Sequence, residues 1–312
     1  MSKKEKMVSI EELQESFEKL DYICNKKIAT TLFLAYKLNK PILVEGPAGV
    51  GKTELAKTCA KYLESPLIRL QCYEGLDESK SLYEWKYGKQ LLYTQILKDN
   101  LNKIIDKQDS LVAAMEKLHD HDDVFFSQKF LEPRPLLKAL QVEEGATLLI
   151  DEIDKSDEEF EAFLLEVLSD FQVSIPEIGT IKAKKTPFVI LTSNNSRDLS
   201  DALKRRCLHL FIPFPDAKME KDIVRVKVPG ISESLNNQLV SFIQQVRNLD
   251  IKKIPSISET IDWAKVLMLL SRDKLDNQII KETLNIILKY EEDIKKAENR
   301  LNEMAMIAKQ EG

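Results

Sequence analysis

Glycine is scarce in this chain, with nine residues in 312, and cysteine scarcer still, with four. Cys24, Cys59, Cys72 and Cys207 are widely spaced and form no Cys-x-x-Cys pair. That spacing fits reduced, mostly buried thiols of a cytoplasmic protein rather than a disulfide framework. No apolar run approaches the ~20 residues that a membrane-spanning helix needs, so no membrane span is expected. Met1-Ser2-Lys3-Lys4-Glu5-Lys6 carries charge but no apolar stretch follows it, so a secretory signal is not expected. Positive charge is not in excess, since 46 Lys and Arg stand against 51 Asp and Glu for a net charge of −5. A general nucleic-acid surface is therefore not expected, which leaves room only for a local basic patch. Internal repeats and low-complexity stretches are also missing. What remains is a chain that is 43% hydrophobic, enough for a real core and about two domains.

The scarce glycines are concentrated. Three of them lie in Gly46-Pro47-Ala48-Gly49-Val50-Gly51-Lys52-Thr53, a complete Gly-x-x-x-x-Gly-Lys-[Ser/Thr] loop. Gly46, Gly49 and Gly51 let the backbone turn tightly and aim several N–H groups at one point. Lys52 carries a charge that can reach the β/γ-phosphates, and the Thr53 hydroxyl can serve Mg²⁺. The flanks fit this reading. Pro41-Ile42-Leu43-Val44 reads as a buried strand, and Glu54 to Leu63 has helical spacing with Leu55, Cys59, Tyr62 and Leu63 on one stripe. The phosphate site thus falls at a helix N-terminus, with Glu54 in its first turn.

Elsewhere, residues 10–39 read as two helices, the first capped by Ser9 and the second spanning about Lys26–Leu38. Strands are expected at 66–72, 146–150, 187–192 and 211–215. Residues 77–140 read as mostly helical, 160–171 as an amphipathic helix and 172–181 as a hairpin around Pro176 and Gly179. From Asp216 onward only helical periods appear, ending in an amphipathic charged stretch at about 281–309. Short apolar strands alternating with helices predict a parallel sheet covered on both faces, followed by a separate small helical bundle.

Thr147-Leu148-Leu149-Ile150-Asp151-Glu152 delivers two adjacent acids to the carboxyl end of a strand, where α/β folds place their ligands. Side chains alternate along a strand, so the two acids can do different work. Asp151 can hold the water shell of Mg²⁺ beside Thr53, and Glu152 can activate the attacking water.

With these motifs in order, the chain resembles the AAA+ ATPases. Polar Thr192-Ser193-Asn194 and then Arg205-Arg206-Cys207 follow in that family's sequence. The resemblance implies that Asn194 positions the lytic water as sensor 1, and that Arg206 is an arginine finger acting in trans on the neighbouring subunit's γ-phosphate, with Arg205 as the alternative. Gln71 to Asp77, Leu82 to Trp85 and Phe160 to Phe171 resemble the MoxR family and its CoxD-like branch, over about Tyr22 to Asp293. This resemblance implies an α/β P-loop NTPase core of three αβα layers at 1–215, with a helix-2 insert at about 84–130 and a pre-sensor-1 hairpin at about 172–181. An all-α lid at 216–312 would follow. It also implies ATP and Mg²⁺ as cofactors, a homo-hexameric ring, a von Willebrand A domain partner, and a metalloenzyme client of the carbon monoxide dehydrogenase kind. One departure concerns the lid arginine called sensor 2. Thr260 aligns with it, and Lys265 five positions on is a poor helical substitute.

Other features are expected to be structural. His119 and His121 among Asp120, Asp122 and Asp123 hold ligand types suited to Zn or Ni, but a solvated loop is the better reading. Trp85 with Tyr73, Tyr83, Tyr87 and Tyr93 reads as packing, with a partner-binding patch as the alternative. The charged C-terminal stretch reads as a solvated lid face, with subunit or partner docking as the alternative.

The leading expectation is a ring-forming ATPase that remodels or matures a client. The alternatives are a nucleotide-gated binding module with slow turnover and a DNA-acting ATPase, the last disfavoured by the acidic balance.

Overall fold

The computed structural model describes residues 7–93, 95, 128–176 and 178–310. Two helices open it: α1 (Ile10–Lys19), whose Ser9 cap accepts the Glu12 amide, and α2 (Lys26–Leu38), capped in the same way by Asn25. Then come β1 (Ile42–Glu45), α3 (Lys52–Tyr62), β2 (Leu67–Gln71), α4 (Glu78–Ser81) and β3 (Tyr83–Trp85). After the insert follow β4 (Leu131–Pro133), α5 (Pro135–Gln141), β5 (Thr147–Asp151), α6 (Glu158–Asp170), β6 (Gln172–Ile175) and β7 (Gly179–Lys182). The α/β part ends with β8 (Phe188–Ser193), α7 (Asp201–Arg206) and β9 (Leu208–Phe211).

Five strands form one parallel sheet in the order β2-β5-β8-β1-β9. Its alternation explains the two-sided burial. Leu43, Leu148, Ile150, Val189 and Leu191 enter the core that α5 and α6 cover. Ile42, Val44, Leu149, Ile190 and Leu210 enter the opposite core, under α1, α2 and α3. Odd and even positions of one strand thus serve different layers, which makes the sheet the middle of three.

Beyond the sheet the chain is helical: α8 (Ala217–Lys227), α9 (Glu233–Arg247), α10 (Ile257–Leu269), α11 (Asn277–Ile287), α12 (Glu291–Asn299) and α13 (Leu301–Gln310). These helices enclose their own core around Phe242, Trp263, Leu239 and Ile280.

Three sequence expectations need correction. The last strand is Leu208–Phe211 and not 211–215. The Ile212 amide still bonds the Glu45 carbonyl at 2.8 Å, but Pro213 and Pro215 have no N–H with which to continue the ladder. Residues 77–140 are not simply helical, because β3 and β4 pair antiparallel across the insert, Trp85 opposite Leu131. A local period cannot reveal a partner so distant along the chain. Residues 281–309 belong to three helices rather than one stretch, since Leu288 (ψ 134°) and Arg300 (ψ 8°) leave helical geometry. The hairpin expected at 172–181 is present as antiparallel β6 and β7, Val173 opposite Ile181. Most of the insert expected at 84–130, including His119 and His121, lies outside the described residues. Among the described residues no cluster of three or more His, Cys, Asp or Glu is arranged to hold a metal, and no helix is long and apolar enough to cross a membrane.

Candidate nucleotide site

The loop at 46–53 joins β1 to α3. Gly46 has φ +151°, and a Cβ there would lie 2.1 Å from the Ile212 carbonyl oxygen. Gly49 has φ +73°, and a Cβ there would meet the Ser256 hydroxyl at 2.3 Å. Both glycines are therefore demanded by close approach, one to Ile212 in the segment just after β9 and one to Ser256 of the helical part. Lys52 folds back over the loop and is only 6% exposed. Its Nζ donates to the carbonyls of Gly46 and Pro47 at 2.7 Å each, and to Asn194 Oδ1 at 2.8 Å. Burial lowers its pKa, opposed by the charges of Asp154, Asp151 and Glu152.

The acids come from the end of β5. Thr53 Oγ1 donates to Asp151 at 3.2 and 3.3 Å. A hydroxyl beside a carboxylate is a hard oxygen donor set of the kind Mg²⁺ takes, so these two residues fit that ion. Thr192 donates to Asp151 Oδ1 at 2.5 Å and accepts the Glu152 amide at 2.9 Å, locking β5 against β8 at this point. Glu152 has φ +57°, an unusual state for a residue with a Cβ. Its carboxylate accepts from Gln71 Nε2 at 3.0 Å on one oxygen and from Asn194 Nδ2 at 3.4 Å on the other. Asn194 thus links Lys52 to Glu152, with its oxygen toward the amine and its nitrogen toward the acid.

A cavity of 280 Å³ opens here, lined by Ala48, Lys52, Thr53, Asp151, Glu152 and Asn194. A larger one of 780 Å³ lies alongside, lined by Tyr22, Ile23, Val50, Phe214, Ile257 and Ile261. The first is shaped by donors and acids, the second by apolar side chains that a flat ring can lie against. Glu54 lines both cavities, and its carboxylate meets Lys227 of α8 at 3.3 Å and Lys57 at 3.5 Å. Burial works to raise the Glu54 carboxyl, but the two lysines outweigh it and hold it below its ordinary value.

The structure therefore brings together the loop residues, Asp151, Glu152 and Asn194. It does not bring Arg206 or Arg205 to them. Both are exposed at the C-terminal turn of α7 and line neither cavity. Thr260 does not face the nucleotide side either. It is fully buried and donates to Glu220 Oε1 at 2.8 Å, while Arg247 pairs with the same glutamate at 2.6 Å. The positions of α10 that line the larger cavity include Ser258, Ile261, Asp262 and Lys265. Lys265 is seven residues from Ser258, two helical turns along the same face, and unlike Ser258 it does not line the smaller cavity with Lys52 and Asp151.

Sequence reasoning missed Arg69, Gln71 and Asp154. Arg69 donates to Asp151 Oδ2 through Nε at 3.0 Å and Nη2 at 2.6 Å. Its signal was available: Arg69 and Gln71 are polar at i and i+2 in the strand Leu67-Ile68-Arg69-Leu70-Gln71, so they share a face. Asp154, 3% exposed, accepts the Ser196 amide at 3.0 Å and its hydroxyl at 2.6 Å, which anchors the turn after β8.

The chain has relatives among known proteins. An uncharacterized protein of Staphylococcus haemolyticus is 25% identical over 243 residues, covering 76% of this chain and 78% of its own. An uncharacterized protein of Staphylococcus aureus (strain bovine RF122 / ET3-1) is 25% identical over 240 residues, covering 75% and 77%. Among solved structures, the RuvB Holliday junction branch migration motor of Thermotoga maritima is similar at a TM-score of 0.44 and 17% identity, over 88% of this chain and 69% of that one. The family model of the AAA domain (dynein-related subfamily) matches residues 41–207, more than half of the chain, and the chain belongs to that family.

Proposed function

We propose that this chain is a cytoplasmic AAA+ ATPase, binding ATP and hydrolysing it to ADP and phosphate as one subunit of a ring. The carrying observation is Asn194, which touches Lys52 at 2.8 Å and Glu152 at 3.4 Å above the phosphate loop. A group placed between a phosphate-binding amine and a candidate base is suited to orient a water molecule for in-line attack.

In this reading residues 1–215 form the nucleotide-binding domain and 216–312 the lid. The loop amides of 46–53 and Lys52 hold the phosphates, with Glu54 in the first turn beyond them. Thr53 and Asp151 would hold Mg²⁺, which supplies charge stabilisation for the transferring phosphoryl group. Glu152 accepts the proton of the attacking water, Asn194 fixes that water, and Arg206 completes the neighbouring subunit's site. The exposure of Arg206, away from its own site, supports a role in trans. The motif resemblance to the CoxD-like MoxR branch extends the proposal to chaperone-like maturation of a metalloenzyme, with a von Willebrand A domain partner. The two-stranded β3–β4 arm, the β6–β7 hairpin and the insert are the elements not absorbed by the nucleotide site.

One observation favours a second reading, a nucleotide-gated binding module with slow turnover. Both carboxylate oxygens of Glu152 are engaged, by Gln71 and by Asn194, so the base is restrained. Client-stimulated turnover separates the two, because a pure switch stays slow with any client.

The test is Glu152→Gln. It should bind ATP as the wild type does and lose turnover by at least about 100-fold, the scale of general-base catalysis. Turnover near the wild-type rate would remove Glu152 as the base.

A further inference from the structure

Arg69 is a cation against Asp151 to which the proposed phosphate binding gives no part. It extends from β2, one of the sheet's two edge strands, and its side chain is 52% exposed while that of Asp151 is 3% exposed. Both of its guanidinium contacts with Asp151 fall on one oxygen, Oδ2, at 3.0 and 2.6 Å. The other oxygen accepts from Thr192 at 2.5 Å. Nη2 of Arg69 also donates to Gln71 Oε1 at 2.5 Å, and this turns the Gln71 amide so that its Nε2 meets Glu152.

A buried carboxylate requires a compensating charge. Lys52 does not compensate Asp151 directly, because its amine is engaged by two carbonyls and Asn194. We propose that Arg69 is a positioning residue that serves as the resident counter-cation of Asp151 and competes with Mg²⁺ for that carboxylate. It thereby sets the Mg²⁺ concentration at which the site holds a nucleotide. The proposal rests on the reading of Asp151 as the metal-side acid. The asymmetry in exposure gives the direction of exchange. Arg69 can swing into water at the sheet edge with little desolvation cost, whereas Asp151 is fixed by Thr192 and Thr53. A guanidinium beside a dication is also repulsive, so each weakens the other's hold on Asp151.

The test is a Mg²⁺ titration of fluorescent (mant) ADP binding to the full chain, for the wild type, Arg69→Met and Arg69→Lys. Arg69→Met keeps length and removes charge, and it should lower the Mg²⁺ midpoint about fivefold, the scale of a half-exposed ion pair. Arg69→Lys keeps the charge and should stay within about twofold of the wild type. Arg69→Gln gives a second neutral variant should the methionine impair folding, with far-ultraviolet circular dichroism as the check. A merely structural Arg69 would leave Asp151 loose, and the midpoint would rise. A midpoint unchanged or raised in folded neutral variants overturns the proposal while leaving the nucleotide site intact. A wild-type chain that binds no nucleotide at any Mg²⁺ concentration overturns the nucleotide-site reading, and this proposal with it.

Discussion

Asp154 follows the two acids to which the proposed function gives the chemistry, yet its own work is mechanical. Its Oδ2 ties the Ser196 amide and hydroxyl, and so fixes the turn that presents Asn194. Burial would raise its carboxyl, but the bonds from Ser196 and nearby backbone amides outweigh burial and hold it below the ordinary carboxylate value. A folded-state pKa depressed in this way contributes stability that is complete above the unfolded value of about 3.9 and lost as pH falls through the folded value. Asp154→Asn should therefore cost about 1–3 kcal/mol at neutral pH, and the gap to the wild type should narrow near pH 3. Urea unfolding at the two pH values measures this, and an equal gap at both would show that the charge is not what matters. The four cysteines give a second residue-scale prediction. All are free and buried, and burial pushes Cys24, Cys72 and Cys207 up to about 12 and Cys59 well above its usual value. A thiol-specific reagent at neutral pH should leave the native chain unlabelled and modify all four after unfolding. Labelling of a native thiol at the unfolded rate would contradict that burial.

At the scale of the element, α10 explains what the sequence could and could not reveal. Its capping box is local, with Ser256 and Glu259 three residues apart, and so it is legible from spacing alone. Which way its residues point is set by α8 and α9, and no local pattern carries that. The family resemblance expects a nucleotide-facing arginine where Thr260 stands, but Glu220 of α8 and Arg247 of α9 hold Thr260 in the interior. The same distinction separates the loop at 46–53 and Asp151-Glu152, contiguous and readable, from Arg69, whose partner is 82 positions away. A buried ion pair is costly to break from one side, so Arg247→Ala should destabilise the fold by about 3–5 kcal/mol. Thr260→Arg should also destabilise it, by forcing a cation into a fully buried position beside Arg247, and should not tighten ATP binding. Calorimetry and nucleotide titration together test this. Tighter ATP binding by the Thr260→Arg variant at unchanged stability would restore the aligned position to the site.

The whole molecule raises the question of what Arg206 meets. One face of the chain holds Lys52, Asp151, Glu152 and Asn194 around a cavity, while Arg205 and Arg206 are exposed at the end of α7. A site on one surface and its complement on another define a head-to-tail contact, which closes into a ring when its rotation permits. The expectation for Arg206→Ala follows from the separation: nucleotide binding persists and turnover falls by about 10³-fold or more, the scale of an arginine finger. Mixing decides whether the contact runs between subunits. Arg206→Ala subunits have an intact phosphate loop but no finger to lend, and Lys52→Ala subunits have a finger but no competent loop. Each alone should be inactive. In an equal random mixture, an interface works only where an Arg206→Ala subunit supplies the loop and a Lys52→Ala subunit supplies the arginine, so about a quarter of interfaces should recover. Measured turnover near a quarter of wild type would assign Arg206 in trans. Recovery that appears instead with Arg205→Ala would move the finger one residue along α7. Mixtures as inactive as their parents, despite subunit exchange seen by gel filtration of tagged chains, would mean that each site is completed within its own chain.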